Sequence, residues 1–187
     1  MSLRILGGQF KGRNLKSPKS SPTRPTQGIL RQAIFNICQE QISHANFLDL
    51  FAGSGAMGLE ALSRGAKHSI LVEQNRSAAR TIQENIEILQ VNDCSELLVM
   101  DVFRALKILS KRKEVFDIIY IDPPYGHPEI IRSVLQEIEK NNLASQEGTV
   151  FFEDSSQAEE IEYESKGLRK ISSRRFGIAR LYQYGTY

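Results

Sequence analysis

Short apolar segments alternate with longer amphipathic stretches between residues 47 and 153, and this alternation constrains the fold more than any other feature of the chain. The apolar segments are nearly continuous in hydrophobicity, which is typical of strands buried on both faces of a parallel sheet. Strands are predicted at 47–51, 69–73, 96–100, 116–121 and 149–153, and helices at 55–64, 75–89, 102–111 and 128–140. The pattern predicts an α/β fold with a doubly wound, mainly parallel sheet.

The two ends of the chain depart from this alternation. Segments 168–173 and 178–184 flank a glycine turn at Gly177 and predict a closing antiparallel pair. Residues 4–13 predict a small hairpin with a glycine turn, and Thr26 is predicted to cap a helix that runs to about Gln41. Since 187 residues suffice for one sizeable core, we predict a basic appendage at 1–41 and a main domain at 42–187.

Charge is distributed unevenly along the chain. Residues 1–39 contain seven basic residues and no acidic residue, although the whole chain carries a formal net charge of only +2. Such segregation favours a segment that binds a polyanion. A second basic run near the carboxyl terminus fits phosphate contacts and a solvated sheet edge equally well. It consists of Arg169, Lys170, Arg174, Arg175 and Arg180.

The predicted strand ends carry residues suited to a cofactor, and in parallel sheets ligands bind at these carboxyl ends. The first strand runs into Gly53, Gly55 and Gly58, which allow close approach of a ligand and open a helix. Glu73 ends the second strand and could accept the hydroxyls of a ribose, and Asp101 follows the third. We predict an adenosine-containing cofactor, and the GxGxxG spacing leaves an NAD-dependent oxidoreductase as an alternative.

The tetrapeptide Asp122-Pro123-Pro124-Tyr125 directly follows the buried strand at 116–121. The Asp122 carboxylate and the Pro123 carbonyl could accept both hydrogens of an exocyclic amine, while Tyr125 stacks on the base. Held in this way, the nitrogen lone pair points at an electrophile. This arrangement favours methyl transfer to a nucleobase amine from S-adenosylmethionine, whose sulfonium already activates the methyl group.

Other features exclude several classes of site. Two distant cysteines without CxxC spacing and three scattered histidines predict neither a disulfide framework nor a metal site. No apolar run approaches the ~18 residues of a membrane span, and the amino terminus has no signal-peptide core. We therefore expect a soluble, cytoplasmic protein, and a monomer.

Longer matches connect these motifs to a family. The tetrapeptide, together with LDLFAGSGAMGLEALSRGA, resembles class I S-adenosylmethionine-dependent N-methyltransferases and their [DN]PP[YF] motif. RILGGQFKGR, the RPT at residues 24–26, and the helix with Arg31 and Phe35-Asn36 are similar to the RsmD type of bacterial 16S ribosomal RNA guanine-N2 methyltransferase. The resemblance implies a Rossmann-like, seven-stranded methyltransferase sheet, a guanine of 16S ribosomal RNA as substrate, and S-adenosylhomocysteine as by-product. Free RNA and an assembled subunit both remain open as the substrate, and we expect an assembling small ribosomal subunit because so short a chain is poorly placed to recognise a long site by itself.

The resemblance also implies roles for individual residues. The cofactor-binding residues would be Asp49, Gly53, Gly55, Glu73 and Asp101, with the glycines at the methionine part, Glu73 at the ribose and Asp101 at the adenine. The target guanine would meet Asp122, Pro123 and Tyr125. The residues facing RNA would be Arg13, Arg24, Thr26 and Arg31. Two further alternatives remain: an N-methyltransferase for adenine N6, cytosine N4 or protein, and a non-catalytic RNA-binding module.

Overall fold

The structure is a computed structural model that describes residues 3–18, 25–124, 127–163 and 165–186. Two predicted site residues, Arg24 and Tyr125, lie outside the described residues, and so does the side chain of Thr26.

Seven strands form one sheet in the order β3-β2-β1-β4-β5-β7-β6. The strands are β1 (Asn46–Leu50), β2 (His68–Val72), β3 (Ser95–Leu98), β4 (Phe116–Ile121), β5 (Ala144–Ser155), β6 (Leu168–Phe176) and β7 (Ala179–Thr186). Strands β1 to β5 pair in parallel, whereas β7 runs antiparallel to both β5 and β6. This arrangement confirms the predicted α/β class, the parallel sheet and the closing antiparallel pair.

The helices connect the strands and cover both faces of the sheet. They are α1 (Pro25–Ile37), α2 (Ala56–Ser63), α3 (Arg76–Leu89), α4 (Val102–Lys111) and α5 (Pro128–Lys140), with a short 3-10 helix at Asn92–Cys94. Leu48 and Leu50 of β1 pack with α4 and α5, whereas Phe47 packs with α1 and α2 on the opposite face. Both faces of the central strands are therefore buried, as their continuous hydrophobicity predicts. In the described part of the chain, no helix has the length and apolar character needed to cross a membrane.

The predicted boundaries of α1 and β5 were wrong. Helix α1 begins at Pro25, so Thr26 lies inside the helix and is not its cap, and the helix ends at Ile37 rather than near Gln41. Proline suits a first helical position because its missing N–H has no partner there. Strand β5 begins at Ala144, five residues before its predicted start at Thr149. Exposed polar residues at its beginning conceal the strand, because the hydrophobic pattern starts only where the strand becomes buried.

The amino-terminal segment packs onto the same core as the rest of the chain. Ile5 and Leu15 are buried among side chains of α2 and α3. The Leu6 N–H donates to Glu60 Oε2 at 2.8 Å, and the Lys16 N–H donates to Asn85 Oδ1 at 2.7 Å. Paired backbone bonds between Ile5 and residues 12–13 form the predicted small hairpin. The division into an appendage at 1–41 and a main domain at 42–187 stays a prediction.

Candidate active site

The carboxyl ends of four neighbouring strands bring acidic side chains to one edge of the sheet. Strand pairing places Asp49 of β1 beside Tyr120 of β4. It also places Ile121 beside Phe152 of β5, so the next residues along, Asp122 and Glu153, are neighbours. Glu73, directly after β2, completes a group of four acidic residues, the carboxylate row: Glu73, Asp49, Asp122 and Glu153.

The loop after β1 takes the conformation that its glycines permit. Gly53 and Gly55 have φ values of 56° and 76°, in the left-handed region that favours glycine. The Gly53 N–H donates to Glu73 Oε2 at 2.8 Å, and the second Glu73 oxygen accepts from the Asn75 N–H at 2.7 Å. Glu73, predicted to bind ribose, therefore also orders the glycine loop and the chain leading into α3.

Gly58, the third glycine of the motif, allows a helix to pack closely against a strand. A Cβ atom at Gly58 would lie 2.6 Å from Ser69 Oγ and 3.0 Å from the Leu71 side chain. Its N–H donates to Asp49 Oδ2 at 2.9 Å. The absence of a side chain thus allows α2 to approach β2 and to orient Asp49.

Asp49 is a buried carboxyl group with one unused acceptor. Only 1% of the residue is exposed, and its Oδ1 atom has no hydrogen-bond partner within the described residues. Burial raises the pKa of Asp49 to about 8, and the nearby Asp122 and Glu73 carboxylates act in the same direction. A cationic group placed at this end of the glycine loop would therefore be stabilised by Asp49.

Asp122 lies at the centre of the carboxylate row and is only partly buried, whereas Pro123 is buried and Pro124 exposed. Burial raises the pKa of the Asp122 carboxyl group to about 7. Of the predicted catalytic residues, Asp122 and Pro123 therefore lie together at the carboxyl end of β4. The carboxyl group of Asp122 has a pKa near neutrality.

Glu153 is a site residue that the sequence reasoning missed. It is buried and accepts a hydrogen bond from the hydroxyl of Tyr120, which is also buried. Burial, followed by the Asp122 carboxylate, raises the pKa of Glu153 well above its usual range. One signal could have identified it: a carboxylate at the end of the buried run Val150-Phe151-Phe152, in a strand predicted to join the same parallel sheet.

Asp101 is exposed and caps a helix. Its Oδ1 atom accepts from the N–H groups of Phe103, at 2.9 Å, and Arg104, at 3.3 Å, at the start of α4. It follows β3, so it lies at the same edge of the sheet as the carboxylate row. A contact of Asp101 with adenine stays a prediction.

The residues predicted to face RNA differ in their surroundings. Arg13 is exposed and donates from Nη2 to the Ile88 carbonyl at 2.6 Å. Arg31 is buried, donates from Nη2 to the Arg4 carbonyl at 2.7 Å, and has its Nε 3.6 Å from Glu60 Oε2. The guanidinium group of Arg31 is therefore engaged inside the protein, and its contact with RNA stays a prediction.

Within the four described ranges, no group of three or more His, Cys, Asp or Glu side chains is arranged to hold a metal ion.

Comparisons with known proteins agree with this architecture. The family model described as Conserved hypothetical protein 95 matches residues 3–185. Ribosomal RNA small subunit methyltransferase D of Escherichia coli K12 is 32% identical over 151 residues, covering 81% of this chain and 74% of that protein.

Solved structures share the fold over nearly the whole chain. The yhhF protein of Escherichia coli superimposes with a TM-score of 0.85 and 25% identity, covering 100% of this chain and 98% of the other. An RNA methyltransferase of Salinibacter ruber, solved with S-adenosyl-L-homocysteine, has a TM-score of 0.65 and 13% identity, covering 89% of this chain and 94% of the other. The second likeness concerns the fold alone.

Proposed function

The chain belongs to the family described as Conserved hypothetical protein 95, and from this premise we propose that it methylates the N2 amine of a guanine in 16S ribosomal RNA, with S-adenosylmethionine as methyl donor. The coarser assignment, a Rossmann-like S-adenosylmethionine-dependent rRNA methyltransferase, rests on the family and on the relative named Ribosomal RNA small subunit methyltransferase D. The observation that carries the finer proposal is the position of Asp122-Pro123 beside the glycine loop, within the carboxylate row.

The residues at the sheet edge fit the methyl donor. The buried, unpartnered Oδ1 atom of Asp49 suits the ammonium group of a methionine moiety. The loop at Gly53 and Gly55 has no side chain to block close approach of a ligand, with Glu73 next to it for ribose and Asp101 further along for adenine. When bound, S-adenosylmethionine supplies a methyl group that its sulfonium already activates.

The protein then has to align the amine and hold its hydrogens. The Asp122 carboxylate and the Pro123 carbonyl accept one hydrogen each, which turns the nitrogen lone pair away from the base ring and toward the methyl carbon. Pro123 has no N–H that could compete for the same acceptors. The proton that the alkylated nitrogen carries leaves to solvent, so no general base is required.

A guanine stacked and paired in a duplex cannot reach the edge of the sheet, so the target base has to be unpaired or flipped outward. A chain of 187 residues has little surface with which to read a long sequence. We therefore propose that the shape of an assembling small subunit in the cytoplasm supplies much of the specificity.

Transfer of label from methyl-labelled S-adenosylmethionine to small-subunit particles that lack their modifications tests this function. Nucleoside analysis of the extracted RNA is expected to find the label in N2-methylguanosine, and the Asp122→Ala variant serves as the inactive control. Label in N6-methyladenosine, N4-methylcytidine or protein would replace guanine as the substrate. Binding of nicotinamide cofactor without any methyl transfer would reject the methyltransferase assignment.

A further inference from the structure

The turn between β6 and β7 lies at the same edge of the sheet as the carboxylate row. Strand β7 runs antiparallel to β5 and pairs Ala179 with Ser155, so the turn at 176–178 meets the carboxyl end of β5. Ser156 holds it there, because its N–H donates to the Ile178 carbonyl at 2.8 Å and its hydroxyl to the Gly177 carbonyl at 3.0 Å. The position of the turn beside the site is therefore built into the fold.

Strand register gives the distance from the turn to Asp122. Glu153, the neighbour of Asp122, pairs with Leu181, which pairs in turn with Arg174. From β4 through β5 and β7 to β6 there are three inter-strand steps of about 4.8 Å, or about 14 Å in all. Stacked nucleotides of one strand advance by about 3.4 Å, so this distance spans roughly four nucleotides.

Next to this turn, the end of β6 carries two arginines that no acidic side chain of the described residues neutralises. Arg174 and Arg175 are exposed, and neither forms an ion pair with any residue that the structure describes. The nearby Lys170 and Arg180 differ, because both pair with Glu160, at 2.7 and 3.7 Å. Arg175 donates from Nε to the Gly177 carbonyl at 3.1 Å, which orients its side chain along the turn.

An exposed apolar side chain accompanies these two charges. Ile178, in the turn itself, is 48% exposed. Guanidinium groups match phosphate geometry in two-bonded contacts, and an apolar side chain beside them can pack on a sugar or an unstacked base. Because successive strand residues point to opposite faces, Arg174 and Arg175 flank the end of the hairpin on its two sides. The hairpin surface, defined as Arg174, Arg175 and Ile178, has the composition expected for contact with a nucleic-acid backbone.

We propose that the hairpin surface binds the sugar-phosphate backbone of the RNA a few nucleotides from the base that enters the Asp122 site. This inference rests on the proposed function, because it presumes an RNA substrate, and it adds a contact surface at the opposite end of the chain from the basic amino-terminal segment. The surface positions the strand and does not take part in methyl transfer.

A competing explanation is that these arginines protect the outermost strand of the sheet. Strand β6 is the outermost strand, and charged side chains on such strands prevent pairing with another molecule. A charge of either sign serves that purpose, whereas only positive charge binds phosphate. Charge reversal at both positions therefore separates the two explanations.

The experiment compares the full-length protein with the double variant Arg174→Glu/Arg175→Glu. The matched control, Lys67→Glu/Lys111→Glu, makes the same change in net charge at exposed positions preceding β2 and β4, at the opposite edge of the sheet. Binding to transcribed 16S RNA is measured over a series of salt concentrations. The arginine variant is expected to bind about tenfold or more weakly, with a salt slope shallower by about two. The control is expected to bind like the wild type, and both variants to bind S-adenosylmethionine normally.

Equal RNA affinity and equal salt slope in the arginine variant and the control would overturn the proposal. The proposed function would still stand in that case if the wild-type protein methylates the same RNA. A wild-type protein that neither binds this RNA nor methylates small-subunit particles would reject both. If the charge-reversed variant fails to fold by circular dichroism, Arg174→Gln/Arg175→Gln replaces it, with an expected loss of about threefold or more and the same contradicting outcome.

Discussion

The hydroxyl of Tyr120 donates a hydrogen bond to the carboxyl group of Glu153, and this buried pair lies directly beside Asp122. Tyr120 comes from β4 and Glu153 from β5, so the bond joins the two strands at their carboxyl ends. Both polar groups are removed from water, and each depends on the other for a partner. A polar contact between two buried side chains therefore links β4 to β5 next to Asp122.

Replacing Tyr120 with Phe is expected to lower the free energy of unfolding by about 1–3 kcal/mol, because the Glu153 carboxyl loses its donor in the interior. Urea denaturation measures the change. The double variant Tyr120→Phe/Glu153→Leu, which removes both polar groups, should cost less than the sum of the two single variants. Strict additivity would contradict the view that the two residues act as a pair.

Asp122→Ala is expected to reduce turnover about a hundredfold or more, because the amine loses the acceptor that orients it. Cofactor affinity should stay within about twofold of wild type, since Asp122 is assigned to the base and not to the methyl donor. Single-turnover methylation and calorimetric titration with S-adenosylmethionine give the two quantities. Preserved turnover would remove Asp122 from the mechanism.

The rate of methyl transfer is expected to fall as the pH is lowered through about 7. Burial raises the pKa of Asp122 to about 7, so the carboxyl group is ionised, and able to accept from the amine, only above that pH. The test is kcat measured between about pH 6 and 9 with saturating substrates. A rate that is constant across this range would show that ionisation of Asp122 is not required.

Asp49→Asn is expected to stabilise the free protein at higher pH and to weaken binding of the methyl donor. The pKa of Asp49 is raised to about 8, from about 3.9 in an unfolded chain. Its contribution to stability is therefore complete below about pH 4 and is lost progressively as the pH rises to about 8.

Asn stays neutral, so the free energy of unfolding of the Asp49→Asn variant, relative to wild type, should increase from pH 5 to pH 8. The exposed Asp93→Asn substitution serves as the control and should show no such trend. Urea denaturation at the two pH values measures both. A difference that does not change with pH would contradict the raised pKa.

Arg31→Ala is expected to lower the free energy of unfolding by about 2–4 kcal/mol, because it leaves buried Glu60 without one of its partners and the Arg4 carbonyl without a donor. The control, Arg13→Ala, removes an exposed side chain and should change stability by less than about 0.5 kcal/mol. Thermal denaturation compares the two. Equal stability would mean that burial of Arg31 does not support the fold.

Local patterns predicted most of the elements well. Strand β4 and helices α4 and α5 have the predicted limits, because their apolar periodicity begins and ends with the element itself. The start of β5 was missed, because the exposed Gln146 and Glu147 precede the buried part of the strand, although Ala144 already pairs with β4. The glycine loop, Glu73 and Asp122-Pro123 were placed correctly at one sheet edge, because every parallel strand ends at that edge.

The sequence alone determined the α/β class, the edge at which the site lies and the chemistry of the residues that end the strands, because these depend on contacts within one element or between an element and the next turn. Only the tertiary structure decided that Glu153 is a neighbour of Asp122, that Arg31 pairs with Glu60 inside the protein, and that the β6–β7 turn lies beside the site. These relationships join residues 21 or more positions apart. They depend on strand order and on which face of a helix is buried, both of which are set by packing of the whole core.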